Sequence, residues 1–179
     1  PACGPRVFLD GGALARGLQT EGGARSPPSP PLATDMDPIA FAGRALAEGR
    51  IVAVKGIGGY HLACDASSPA AVRTLRERKR REEKPLAVMV RDLAEARALA
   101  ETGPAEEALL AGVERPIVLC RRRPGAALAP EIAPDSPLVG LLLPYAPLHH
   151  LLLAEAGRPL VMTSGNLSEE PIAFEDADA

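Results

Sequence analysis

Hydrophobic and polar positions fall into short blocks along this chain, and the blocks predict helices and strands in alternation. Asp37 followed by Pro38 is a helix start, and Ile39, Ala42, Gly43 and Leu46 recur on one face before a natural stop at Gly49. Residues 51–54 form a β-branched run of the kind that suits a strand covered on both sides. A turn at 56–59 and a return strand at 60–64 follow. Ser68-Pro69 opens a second helix, on which Val72, Leu75 and Lys79 share one face. A lysine therefore extends an apolar stripe. Two readings of it stand at this point: a cation looking into a cleft, or one of several gathered at a helix C-terminus by the macrodipole.

Further along, residues 85–90 read as a strand, Asp92 to Glu101 and 104–113 as helices, and 116–120 as a strand with Arg121, Arg122 and Arg123 at its exit. A proline-rich connection leads to a strand at 138–143, a turn at 144–147, a short helix at 148–155 and a strand at 160–163. Interleaved strands that are apolar along their whole length predict an α/β domain around a largely buried, mixed sheet. Residues 11–34, with Ser26-Pro27-Pro28-Ser29-Pro30-Pro31, read as a linker, so the globular part starts near Asp35.

Composition narrows this picture. A chain of 179 residues, 46% hydrophobic and 24% charged, suits one globular domain. A net charge of -3 excludes a general attraction to nucleic acid or anionic lipid, so any anion site is local. The three cysteines, Cys3, Cys64 and Cys120, form no CxxC and fit a reducing cytoplasm. Apolar runs near Leu141 and Leu151 are broken by Pro144 and Pro147, short of the ~20 residues a membrane span needs. Of 20 basic residues only Lys55, Lys79 and Lys84 are lysines, the other 17 being arginines, and Asn166 is the single asparagine. Rare types in so biased a chain mark positions where a compact point charge, or an amide, is required.

The candidate chemistry gathers in two places. Gly56-Ile57-Gly58-Gly59 lacks the spacing of a P-loop or a dinucleotide fingerprint, but Lys55 precedes it and Tyr60 and His61 follow. Thr163-Ser164-Gly165-Asn166 leaves a strand with hydroxyls, a glycine and an amide, which suits close approach to a phosphate and equally suits a simple turn. His149 and His150 are adjacent on a helix and point apart, so they form no metal pair. No HExxH or nucleophile elbow is present, which leaves hydrolase chemistry unsupported.

Four segments in order, KGIGGYHLACDA, RKRREEKPLAVM, VGLLLPYAPLHHLLL and PLVMTSGNLSEEP, resemble the YrdC-like domain of the HypF carbamoyltransferases, within the wider YrdC and threonylcarbamoyl-AMP synthase superfamily. The resemblance runs from about Asp37 to the end. It implies a twisted mixed sheet flanked by helices, with a basic concave face. It implies that ATP and carbamate, released from carbamoyl phosphate elsewhere in the protein, combine into carbamoyl-adenylate, and that another domain passes the carbamoyl group to the partner HypE. The family's Lys-x-Arg and Ser-x-Asn signatures fall on Lys79 to Arg81 and Ser164 to Asn166, and its KPL lysine on Lys84. By the same resemblance Lys79, Arg81, Lys84, Thr163, Ser164 and Asn166 hold the nucleotide. Lys55, Tyr60 and His61 face the small acyl substrate. Lys55, Lys79 and Arg81 serve catalysis, and magnesium accompanies the phosphates. Cys3 resembles one ligand of an upstream zinc finger whose site is incomplete here, and the resemblance implies that the family's closing stretch lies beyond Ala179.

Two departures bear on substrate. The threonylcarbamoyl-AMP synthases carry a Pro-Thr-x-Thr hairpin where this chain has Lys55-Gly56-Ile57-Gly58, and an arginine where it has Leu142. Both favour carbamate over an amino acid. A third reading is an RNA-binding module using the basic residues of 73–84 and 121–123; an aromatic content of 3% leaves few stacking platforms for single strands, so double-stranded RNA is the partner it would take.

Overall fold

The computed structural model describes residues 37–81, 84–166 and 172. Cys3, the linker and the family's expected closing stretch lie outside them. Helix α1 (Pro38–Ala47) is capped by the Asp37 carboxylate, which accepts from the Ile39 and Ala40 amides. Strands β1 (Val52–Gly56) and β2 (Gly59–Asp65) form a hairpin. There follow α2 (Pro69–Lys79), β3 (Ala87–Met89), α3 (Leu93–Leu99), β4 (Ala100–Glu101), α4 (Pro104–Ala111), β5 (Val118–Arg122), β6 (Leu138–Leu142), α5 (Pro147–Ala156) and β7 (Leu160–Ser164). A 3₁₀ turn, Pro130–Ile132, interrupts the proline-rich connection.

The strands make one seven-stranded mixed sheet in the order β1-β2-β7-β3-β6-β5-β4, with only β3 and β6 parallel among the pairs. Alternation along the strands sorts the core into two layers. Cys64, Val88, Leu141 and Val161 pack under α2, α3 and α4 with Val72, Leu75, Leu99 and Leu110. Ala63, Met89, Leu142, Leu160 and Met162 pack on the opposite face with Leu46 of α1 and Leu152 and Leu153 of α5. The helices thus hold the sheet from both sides, and the predicted fold class is the one observed.

Several expectations change in detail. β1 is an edge strand rather than one buried on both sides: it pairs only with β2, and Lys55 on it is exposed. The helix expected to reach Glu101 stops at Leu99, because Ala100 and Glu101 turn extended and pair with Arg122 and Arg121. β3 is shorter than the apolar run that predicted it. Residue Gly43, placed on the apolar face of α1, is a close-packing point: a Cβ there would meet the Glu155 Cβ of α5 at 2.6 Å. Gly43→Ala is therefore expected to force α1 and α5 apart and to cost about 1–3 kcal/mol by overpacking, read as a fall in melting temperature of several degrees. An unchanged melting temperature would show that the two helices shift freely.

Candidate functional site

The last turn of α2 carries the centre of the site. Val72, Leu75, Arg76 and Lys79 occupy positions i, i+3, i+4 and i+7 and are all buried, so Lys79 does complete the inward stripe. Its side chain crosses to the end of β7. There the ammonium donates to the Ser164 carbonyl oxygen, to the Asn166 carbonyl oxygen at 2.8 Å and to Asn166 Oδ1 at 3.2 Å. An ammonium has three protons, and these acceptors match all three. Burial, assisted by the nearby Arg81 charge, lowers the Lys79 pKa to about 8. Lys79 is thus turned inward onto a loop, apart from the exposed Arg78 and Arg80 beside it at the helix C-terminus.

That loop is built to receive it. Ser164 Oγ donates to Asn166 Oδ1 at 2.5 Å, so Oδ1 takes two donors and the amide orientation is fixed, with Nδ2 as its donor pole. Gly165 lies against the β1-β2 hairpin: its amide donates to the Tyr60 carbonyl at 2.6 Å, and an added Cβ would meet that oxygen at 2.9 Å. Glycine alone permits this approach. The hairpin and the loop are thereby one unit, with His61 opposite Ser164 in register.

Arg81 sits beside Lys79 and directs its guanidinium at the Lys84 carbonyl (3.3 Å) and the Pro85 carbonyl (2.9 Å), while the Lys84 side chain is exposed. The pairing of Val88 with Val161, carried outward, brings Pro85 level with Ser164, so Lys84 lies at the same end of the sheet. Thr163 is buried opposite Leu62, one residue inside the loop. Lys55 lies over the Tyr60 ring at 5.2 Å. The residues expected to share a site therefore converge on one corner, where β7, the hairpin and the end of α2 meet.

His61 is differently placed from a solvent-facing substrate contact. Its Nε2 lies 3.4 Å from Tyr145 Oη, and Tyr145 meets His149 edge-on at 4.4 Å between ring centres. His149 is fully buried. Burial first, then the charges of His61 and His150, push its pKa down to about 4. Burial also lowers that of His61. Both rings are consequently mostly neutral at pH 7, and Tyr145 between them links β2 of the hairpin to α5. His150 is exposed, as its opposite direction on the helix predicts.

Arg76 was not legible as a site residue, although its place in the i, i+3, i+4, i+7 stripe was the available signal. In the basic row at 121–123, Arg122 donates to the Ala126, Leu128 and Ala129 carbonyls, and Arg123 to those of Arg97 and Ala100. Arg121 and Arg123 stay exposed, and only Arg122 of the three is partly drawn inward. A hollow of about 430 Å³ lined by residues such as Arg91, Asp92, Leu143 and His150 lies at the opposite end of β3 and β6 and holds none of the expected residues. Cys64 and Cys120 are buried free thiols, and burial, then the Asp65 charge, pushes Cys64 up to about 12. Among the described residues no group of three or more His, Cys, Asp or Glu side chains is placed to hold a metal. Among them, too, no helix is long and apolar enough to cross a membrane.

A mixed sheet with a buried lysine clasping a Ser-Gly-Asn loop defines a class, and comparison with known proteins names it. A model of the Sua5/YciO/YrdC family, described as "Telomere recombination", matches residues 44–179. The chain belongs to that family. It is 48% identical over 160 residues to carbamoyltransferase HypF2 of Cupriavidus necator, covering 81% of this chain and 20% of that protein. It is 31% identical over 151 residues to the threonylcarbamoyl-AMP synthase of Bacillus subtilis, covering 78% of this chain and 41% of that one. Among solved structures, full-length HypF in its phosphate- and nucleotide-bound form superposes with a TM-score of 0.79 at 48% identity, covering 82% of this chain and 19% of that chain. The chain spans about a fifth of the length of the carbamoyltransferases it matches.

Proposed function

We propose that this domain binds ATP at the Lys79 corner and joins it to carbamate, giving carbamoyl-adenylate as one step of carbamoyl transfer in a HypF-type enzyme. The observation that carries this reading is the Lys79 ammonium holding the Ser164-Gly165-Asn166 loop beside Arg81 and Lys84. A carbamate oxygen attacks the α-phosphorus, the bond to the bridging oxygen of the β-phosphate breaks, and pyrophosphate leaves with that electron pair. Negative charge shifts between phosphoryl oxygens, and what the protein supplies is position and compensating charge. Lys79, Arg81 and Lys84 provide the charge. Asn166 Nδ2 provides an oriented donor, Ser164 fixes that amide by donating to its Oδ1, and Thr163 is buried behind them.

The hairpin supports carbamate over an amino acid. Lys55 stands on it as a cation for a small anion, the glycines at 56, 58 and 59 carry no side chain to bind more, and Leu142 is buried in the core and offers no charge. The larger protein's other domains would release carbamate from carbamoyl phosphate and deliver the product to HypE in the cytoplasm. Support for a carbamoyltransferase comes from the relatives at 48% identity against 31% for the threonylcarbamoyl-AMP synthase.

ATP-pyrophosphate exchange in the full-length enzyme tests the reading. Exchange is expected to depend on carbamoyl phosphate, and Lys55→Ala is expected to raise the half-saturating concentration of that donor roughly tenfold, the loss of one ion pair to an anion. Exchange driven by threonine with bicarbonate instead would assign the chain to the synthases. An unaltered Lys55→Ala enzyme would remove the hairpin from the substrate site.

A further inference from the structure

We infer that Arg76 is a positioning residue for the phosphate corner, setting where Arg81 and Lys84 stand without touching the nucleotide. The inference rests on the reading just proposed. Arg76 is 8% exposed and lies one turn before Lys79 on the buried stripe of α2. Its Nε donates to the Glu131 carbonyl at 2.6 Å, one terminal nitrogen to the Arg81 carbonyl at 2.9 Å, and the other to the Ile132 carbonyl at 3.2 Å. The Arg81 amide in turn donates to the Arg76 carbonyl at 3.1 Å, so the Arg81 backbone is held to one residue from both sides.

The third contact reaches further. The Ile132 carbonyl also accepts from the Leu86 amide at 2.8 Å, and Leu86 is two residues beyond Lys84. One guanidinium therefore fixes Arg81 directly and the start of β3 through the 3₁₀ turn. Arg80 between Lys79 and Arg81 is left-handed, at φ 49°, a conformation that an arginine keeps only where its surroundings impose it.

Packing alone does not call for this residue. Its neighbours Val72 and Leu75 on the stripe are apolar, and an apolar side chain would fill the same layer without burying a charge. Burial lowers the Arg76 pKa, and the Arg81 charge lowers it further. Glu131 gives its carboxylate to Arg73 and its carbonyl to Arg76. The guanidinium provides three diverging donors in one plane, which lysine cannot reproduce, together with a buried positive charge behind Arg81 and Lys79.

The experiment measures ATP affinity calorimetrically in the full-length enzyme for wild type, Arg76→Ala, Arg76→Lys and Lys79→Ala. Arg76→Ala is expected to weaken ATP roughly tenfold at a temperature where it is folded, and millimolar guanidinium ion to restore most of that loss. Arg76→Lys stays weak, and Lys79→Ala gains nothing from guanidinium. If the alanine variant does not fold, Arg76→Met keeps the stem and carries the same comparison. Wild-type affinity in folded Arg76→Ala or Arg76→Met, or a loss that guanidinium leaves in place, overturns the inference while the ATP site stands. Absence of ATP binding in the wild type overturns the functional reading itself.

Discussion

Lys79→Ala is expected to lower carbamate-dependent exchange in the full-length enzyme by about 100-fold or more, the effect of removing one preorganised charged donor from a developing phosphoryl charge. The structure makes the loss double. The ammonium is a charge at the corner, and it is also the clasp on Ser164 and Asn166, so alanine removes a cation and releases the loop together. The pH profile separates this role from simple stability. With a pKa of about 8, Lys79 is mostly protonated at pH 7, and phosphate binding that needs the ammonium weakens as pH rises through 8. The fold behaves oppositely. Because the folded pKa is below the unfolded value of about 10.4, the unfolded chain holds the extra proton between them, and stability from this group rises over that window. Activity that falls above pH 8 while the melting temperature does not is the expected signature. Lys79→Arg should abolish the inflection, because guanidinium stays charged throughout. A wild-type profile flat from pH 7 to 9.5 would show that the Lys79 charge is not used.

Much of this corner was legible because it collects the chain's rare residues, among them Lys79, Lys84 and Asn166. Lys79 followed from helical spacing and the Ser164 to Asn166 loop from turn chemistry, and the four-segment resemblance joined them. The long β-branched and apolar runs located every strand except β4, a two-residue pair with no hydrophobic pattern of its own. Illegible were contacts that depend on tertiary distance. Nothing local shows that Arg76 meets carbonyls 55 residues away, or that Arg122 closes its own loop. Such contacts account for part of the arginine excess. Arg76, Arg81, Arg115, Arg122, Arg123 and Arg158 each donate to backbone carbonyls, some in connecting segments and others, those of Arg97, Leu110 and Ala156, in the last turns of helices.

Asp65→Ala is expected to destabilise the domain by about 3 kcal/mol, lowering its melting temperature by roughly 5–10 °C. Asp65 is buried at the end of β2. One carboxylate oxygen accepts from the Ser67 amide at 2.8 Å and hydroxyl at 2.6 Å, and the other from Arg158 at 2.7 Å. It thus ties the turn that starts α2 to the turn that starts β7, the two elements whose far ends meet at Lys79. Burial pushes its pKa upward, but the bonds from Ser67 and Arg158 outweigh that and leave it lowered. A depressed carboxylate contributes its stability above the unfolded value near 4 and loses it as pH falls through the folded one. The stability gap between wild type and Asp65→Asn, which keeps the shape and drops the charge, should therefore be full at pH 7 and close below pH 4. A gap that stays constant from pH 7 to 3 would mean that the carboxylate charge contributes nothing to the tie. Since Asp65 acts at the start of α2 and not at its end, the same variant should keep the pH 8 inflection that Lys79 imposes, separating what holds the helix from what the helix presents.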